Sequence, residues 1–243
     1  ALCQWLIQII NIATGNLDRE GGSMFTLPAV DQVPRTGPGG FARHRSRVRG
    51  LPEFDRELPA AAMAEEITTP GEGQIRALFT GAGNPVLSTP NGRQLDDALE
   101  QLEFMVSLDP YLNETTRHAN IILPPTSALE HDHYDLVFNA LAVRNVARYS
   151  QPLFEPGLEA RHDWEIFLEL ARRLQGGSLI TRVKGEIGRW QSMAFGPTGL
   201  LRLALKRGPY GKRLGFRELL SAEHGLDLGD LDSCVPGLIR WTW

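Results

Sequence analysis

The stretch IRALFTGAGNPVLSTPNGRQLDDALEQLEFMVSLDPYLNETTRHANIIL at residues 75–123 decides the fold. IRALFT at 75–80 reads as a strand, and the glycine-rich GAGNP at 81–85 turns the chain after it. Residues 93–102 read as a helix with Leu95, Leu99 and Leu102 on one stripe and Asp96 and Asp97 near its positive end. FMVSL at 104–108 is a second strand, ended by Asp109 and Pro110, and residues 120–123 are a third, closed by Pro124 and Pro125. Strand, helix, strand, short helix, strand is the rhythm of a parallel sheet. The expected fold class is therefore α/β, a three-layer, mostly parallel sheet flanked by helices. In such sheets ligands sit beyond the carboxyl ends of the strands. Here those ends are 81–85, 108–113 and the stretch after Pro125.

Outward from this centre the chain is less regular. Residues 162–174 form an amphipathic helix, with Trp164, Phe167, Leu168, Ala171 and Leu174 on one face, Asp163 available as a cap and Arg172 and Arg173 at the negative end. Residues 27–73 read as a loop-rich connection punctuated by prolines and glycines, with one short helix around 59–67. Arg43, Arg45, Arg47 and Arg49 alternate there. They could bind an anion, but Glu53, Asp55 and Glu57 follow at once, which favours a solvated loop face. LCQWLIQIINI at 2–12 is an apolar helix with no cap before it, stopped by Thr14-Gly15-Asn16. It reads as a helix cut through its middle. The expected domains are 1–26, a truncated helix and turn from a neighbouring domain; 27–73, a connection; 74–175, an α/β domain that binds a dinucleotide cofactor; and 176–243, an irregular helical tail leading to a missing C-terminal domain. Residues 200–217 of this tail are basic and 218–232 acidic, as in a surface that meets another part of a larger chain.

Composition narrows the function. The 243 residues carry 25 Lys+Arg against 29 Asp+Glu, a formal charge of −4, which argues against a nucleic-acid binder. Two cysteines, Cys3 and Cys234, exclude a disulfide framework, a Cys-only zinc site and a Cys-ligated iron–sulfur cluster within these residues. No apolar run approaches the ~20 residues of a membrane-spanning helix. The 81–85 loop has neither the Gly-Lys-Ser/Thr of a P-loop nor the full GxGxxG spacing, so a nucleotide loop and a plain turn both stand. Asp109 could accept hydrogen bonds from a ribose or a guanine edge, or simply open a turn. Glu130 could position a ligand or cap a turn. His131, His133 and Asp135 are metal-ligand types at a spacing that suits neither a helix nor a completed strand site. No Gly-x-Ser-x-Gly elbow or Ser/His/Asp order is present, and no residue is assigned a catalytic role.

The segments FTGAGNPVLSTPN, FMVSLDPYLNETTRHANIILPPTSALE and EPGLEARHDWEIFLELARRL, in that order, resemble the molybdopterin oxidoreductase family, which includes formate dehydrogenases and nitrate reductases. ATGNLDREGG near the start also resembles a family segment, so the resemblance spans most of residues 1–175. It implies a formate dehydrogenase/DMSO reductase-like middle domain that cradles one of two pterin–guanine dinucleotides, which together hold molybdenum or tungsten. An iron–sulfur cluster would sit in a missing N-terminal part. Carried over, Gly83 and Asn84 approach the cofactor, Leu108 and Asp109 contact the nucleotide, His131 takes a position that is often lysine, and Asp163 matches an acid at the start of the last helix. The chain departs from the family where many relatives have Gly-Thr, Asn and Glu-Gly-Arg: it has residues 131–135, HDHYD, then Asn139 and Arg144.

The resemblance implies a cofactor-binding central fragment whose parent performs two-electron redox chemistry on a small, formate-like substrate. The isolated chain is expected to be inactive. Expected partners are the rest of the parent chain, an electron-transfer subunit and the small substrate, with no nucleic acid and no membrane span. The expected compartment is the cytoplasm. Two other readings stand beside this one: a non-catalytic assembly module of the same fold, and a metal-dependent hydrolase using His131, His133 and Asp135.

Overall fold

The computed structural model describes residues 2–32, 39–174, 195–211, 215–222 and 224–231. In chain order the elements are α1 (Leu2–Ala13), β1 (Phe41–Arg45), β2 (Pro52–Phe54), α2 (Met63–Thr68), β3 (Ala77–Gly81), α3 (Pro85–Ser88), α4 (Gly92–Leu99), β4 (Phe104–Leu108) and β5 (Ile121–Leu123). They continue with β6 (His133–Tyr134), β7 (Asn145–Ala147), β8 (Tyr149–Ser150), α5 (Asp163–Leu174), α6 (195–207 among the described residues), α7 (Phe216–Ser221) and β9 (Leu226–Gly229). The chain folds as two units. One comprises residues 1–35, 132–152 and 187–243, the other 36–131 and 153–186.

The second unit is the α/β layer structure. β3, β4 and β5 pair in parallel in that order, in register from Ala77↔Phe104 to Gly81↔Leu108 and from Val106↔Ile121 to Leu108↔Leu123. Alternation along the strands sorts the side chains between two faces. Leu78 and the fully buried Met105 point to a core built with Ala64 and Ile67 of α2 and Leu95, Ala98 and Leu99 of α4. On the same face the Thr80 and Ser107 hydroxyls share a 2.8 Å hydrogen bond, satisfying two groups that burial would otherwise penalise. The other face carries Phe79, whose ring meets Phe167 of α5 at 5.7 Å and 60°. Helices thus cover both faces, and the fold is α/β with a parallel sheet.

Two sequence expectations change. Asp96 lies in the middle of α4, whose first turn holds no acid and whose N-cap is Asn91 in the left-handed region at φ 58°. Instead of facing the helix dipole, Asp96 accepts hydrogen bonds from Arg117 at 2.5 and 2.7 Å and pairs with His118 Nε2 at 2.6 Å. These bonds hold its carboxyl below the usual range, the His118 bond most of all. The arginine-rich stretch is an antiparallel hairpin, β1 with β2. Arg43, Arg45, Arg47 and Arg49 all stay exposed, as a solvated face should, yet two of them are tied down: Arg47 pairs with Glu66 at 3.3 Å and donates to the Thr69 carbonyl at 2.7 Å, and Arg49 pairs with Glu65. Glu53 is buried and accepts the backbone N–H groups of His44 and Arg56. Tertiary partners on α2 organise a segment whose local sequence reads as loop.

In the first unit, α1 ends as expected: the Thr14 hydroxyl donates to the Ile10 carbonyl at 2.7 Å and Gly15 takes φ 69°. None of its residues is buried. β6 pairs with β8 and β7 with β9, all antiparallel, around a core of Ala29, Val30, Ala147, Leu205 and Leu219. The acidic stretch of the tail meets a basic partner within the unit, since Arg144 pairs with Asp227 at 2.8 Å and with Asp230. Cys234 lies outside the described residues. Among the described residues no helix is long and apolar enough to cross a membrane.

Truncating the centre of the second unit tests this packing. Met105→Ala is expected to cost about 2–5 kcal/mol in urea unfolding, whereas Leu87→Ala, at a side chain 73% exposed, is expected to stay within about 0.5 kcal/mol of the parent chain.

Candidate functional site

A parallel sheet sends every strand out at the same edge, so the loops after β3, β4 and β5 gather there. After β3 the chain enters the left-handed region at Ala82, φ 50°, and Ala82 N–H donates to the Leu108 carbonyl at 2.9 Å, tying the first two exits together. The next two N–H groups, of Gly83 and Asn84, donate to no described residue. A β-carbon added at Gly83 would meet only the Gly81 carbonyl, at 3.7 Å. Packing leaves that space open. Asn84 opens α3, its carbonyl accepting from Leu87 at 3.0 Å and from Ser88 at 2.9 Å.

Leu108 closes β4 and is buried, so its side chain belongs to the core. Asp109 follows it, 7% exposed. One of its oxygens accepts the Tyr111 N–H at 2.8 Å in a local turn, and the other accepts no hydrogen bond from the described residues. Both roles open to Asp109 in the sequence, turn former and acceptor, are thus available at once.

The third exit is stitched to α5. Thr126 N–H donates to the Arg161 carbonyl at 3.0 Å, and the Thr126 hydroxyl shares a 2.8 Å bond with His162 Nδ1. Glu130 accepts the Ser127 N–H at 2.8 Å, and that bond, with the Ser127 hydroxyl, holds its carboxyl below the usual range. The His131 ring stands edge-on to His162 at 6.3 Å, and His162 stacks on Trp164 at 6.2 Å and 13°. α5 begins where the Glu165 carboxylate reaches back to the His162 N–H at 2.8 Å. Asp163 is therefore the first residue inside the helix instead of its cap, and its exposed carboxylate accepts the Trp164 N–H at 2.7 Å. Phe167, one turn on, fixes the helix against β3: a β-carbon at Gly81 would come within 3.2 Å of its ring.

Gly83, Asn84, Leu108, Asp109, His131 and Asp163 all belong to the second unit. His131 and His133 fall in different units, and Asp135 spends one oxygen on the Phe138 N–H at 2.9 Å. Among the described residues no three His, Cys, Asp or Glu side chains gather in a metal-binding group, so the geometry gives no support to the hydrolase reading. Sequence reading overlooked Thr115, Thr126 and His162, which organise the exits. The one local signal was the Asn113-Glu114-Thr115-Thr116 run after a strand, a composition that favours side-chain-to-backbone turns.

With this architecture in place, comparison with known proteins is decisive: residues 3–173 match the molybdopterin oxidoreductase family. The chain belongs to that family. Among its relatives, an assimilatory nitrate reductase catalytic subunit of Bacillus subtilis is 31% identical over 143 residues, covering 59% of this chain and 19% of that protein. An NADPH-Fe(3+) oxidoreductase subunit alpha of Geobacter sulfurreducens is 34% identical over 133 residues, covering 52% and 15%. A dimethyl sulfoxide/trimethylamine N-oxide reductase of Cereibacter sphaeroides is 28% identical over 151 residues, covering 57% and 18%. The chain spans less than a fifth of the length of these relatives. Membership in the molybdopterin oxidoreductase family implies a molybdenum–pterin cofactor.

The stability of α5 near the site carries a pH signature. Arg172, then Arg173, lower the Glu169 carboxyl from 4.5 to about 2. A carboxyl depressed on folding stabilises above its unfolded value and loses that contribution as pH falls through the folded one. Amide exchange and helicity at residues 169–174 are therefore expected to hold above pH 4.5 and to weaken as pH falls from there toward 2. Glu169→Gln should remove this pH-dependent segment.

Proposed function

We propose that the second unit binds the guanine-nucleotide end of a pterin dinucleotide at the carboxyl edge of its sheet, as the cofactor-binding section of a larger two-electron oxidoreductase. The observation that carries this reading is that, on neighbouring strand exits, the Gly83 and Asn84 N–H groups and one oxygen of the nearly buried Asp109 have no hydrogen-bond partner among the described residues. N–H groups beside an open glycine suit a diphosphate, and a carboxylate suits a ribose hydroxyl or a guanine N–H edge. The donor set fits the nucleotide part of the group. Asp163 adds a second carboxylate, this one exposed, and His131 an imidazole beside the third exit. When bound, the molybdenum (or tungsten) held between two such dinucleotides supplies the redox chemistry. The residues named here bind and orient, and none of them is assigned a proton transfer or a nucleophilic attack.

Parent activity and partners follow the relatives' names. One relative is called a catalytic subunit and another a subunit alpha, which supports assembly with an electron-transfer subunit. The iron–sulfur cluster of the electron path would be held outside these residues, since the chain has only Cys3 and Cys234. Relatives named for nitrate and for sulfoxide or N-oxide reduction favour a small oxidised substrate over a formate-like one.

Guanosine diphosphate titrated into cofactor-free protein is expected to shift the amide resonances of Gly83, Asn84 and Asp109, and Asp109→Asn to weaken binding by about tenfold. Shifts scattered away from the strand exits, or none at millimolar ligand, would count against the assignment.

A further inference from the structure

The nucleotide reading leaves open what the Asn84 side chain does, and the next inference rests on that reading. Both ends of its amide are committed within the chain. Nδ2 donates to a Glu114 carboxylate oxygen at 2.6 Å, and Oδ1 accepts from the Thr115 hydroxyl at 2.7 Å. The Thr115 hydroxyl also accepts the Val86 N–H at 3.0 Å, so a single oxygen joins the loop after β4 to Asn84 and to the first turn of α3. Thr115 and Thr116 are fully buried. Around them the loop closes on itself: Asn113 Oδ1 accepts the N–H groups of Thr115 and Thr116, each at 3.0 Å, and Thr116 Oγ1 donates to the Tyr111 carbonyl at 2.9 Å. Asp96 then anchors Arg117 and His118 to α4.

We propose that Asn84 and Thr115 are positioning residues for the nucleotide site. Together they fix the distance between the Gly83 and Asn84 N–H groups and the carboxylate of Asp109, and the Asn84 amide is not itself a ligand contact. Turning that amide toward a ligand would strand the buried Thr115 hydroxyl without its acceptor, which is costly. Among the described residues, the Ala82-to-Leu108 bond at the sheet edge is the other hydrogen bond that joins the loop bearing Asp109 to the loop bearing the N–H groups. The latch supplies a second point of attachment, and two points define a spacing where one allows a hinge.

The test uses the complete gene product free of cofactor, with guanosine diphosphate as probe. Thr115→Val keeps the shape and deletes both hydroxyl bonds. Measured on folded protein below its lowered melting temperature, its affinity should fall about fivefold or more, and Thr115→Ser should restore binding to within about twofold. Asn84→Ala should lose as much, and the double variant no more than the worse single variant, because the two residues act as one device. Glu114→Gln weakens the latch from the surface and should cost about twofold even if Thr115→Val does not fold. Losses at Asn84 and Thr115 that add, or wild-type affinity in both Thr115→Val and Glu114→Gln, would overturn the latch while leaving the nucleotide site standing. Absence of guanosine diphosphate binding in the wild-type protein would overturn both.

Discussion

Parallel pairing of β3 with β4 is the constraint on which the rest of the second unit depends. In an antiparallel pair the exits of neighbouring strands lie at opposite edges. In a parallel pair they must coincide, and the chain must return across a face of the sheet to start the next strand. α4 makes that return, and its apolar stripe, with α2, encloses Met105 and Leu78. The register fixes Gly81 opposite Leu108, so the glycine-rich turn at 81–84 and the acid at 109 begin level with one another. A one-residue slip would send Met105 to the Phe79 face and Asp109 out of line with the β3 loop. Core packing and site geometry are thereby set by one register.

The polar groups follow the same economy. Thr80 and Ser107 satisfy each other across the strands, and Ala82 and Leu108 do so at the exit. Asn84, Glu114 and Thr115 continue the series beyond the sheet. Each bond is modest by itself in water-exposed surroundings, but burial raises the cost of breaking any of them. The result is a sheet edge whose side chains bond one another while, among the described residues, two backbone N–H groups and one carboxylate oxygen are left over. In the first unit the buried Asn145 side chain plays a similar part, accepting the Leu27 N–H at 2.7 Å and donating to the Asp230 carbonyl at 3.0 Å, whereas Arg144 gathers Asp227 and Asp230 at the surface, where ion pairs contribute little.

The sheet and its flanking helices were legible in the sequence because their signals are local. Leu95 and Leu99 recur at helical spacing, Pro124 and Pro125 end a strand, and Asp109-Pro110 marks an exit. What was not legible depends on partners far along the chain. FARHR at 41–45 shows no alternation of apolar and polar residues, so its pairing with β2 was hidden, as were the Glu66 and Glu65 partners that Arg47 and Arg49 find some distance away in sequence. Asp96 looked like a helix-dipole residue because Arg117 and His118 come into view only when β5 folds back beside β4. The site shows the same division. Gly83 and Asp109 could be named from their place after strands, whereas the direction of the Asn84 amide required knowing that Thr115 lies against it.

The two glycines of the β3 exit have different histories written into them. Gly81 is held by a neighbour, the Phe167 ring at 3.2 Å from where a methyl group would stand, and Gly83 has no such neighbour among the described residues. The fold alone therefore explains the first and not the second. In a lineage that kept the architecture but stopped carrying a nucleotide, residue 81 would stay under the same steric selection while residue 83 drifted freely. On the proposed reading of the site, the pair would separate descendants that still bind from those that only remain folded.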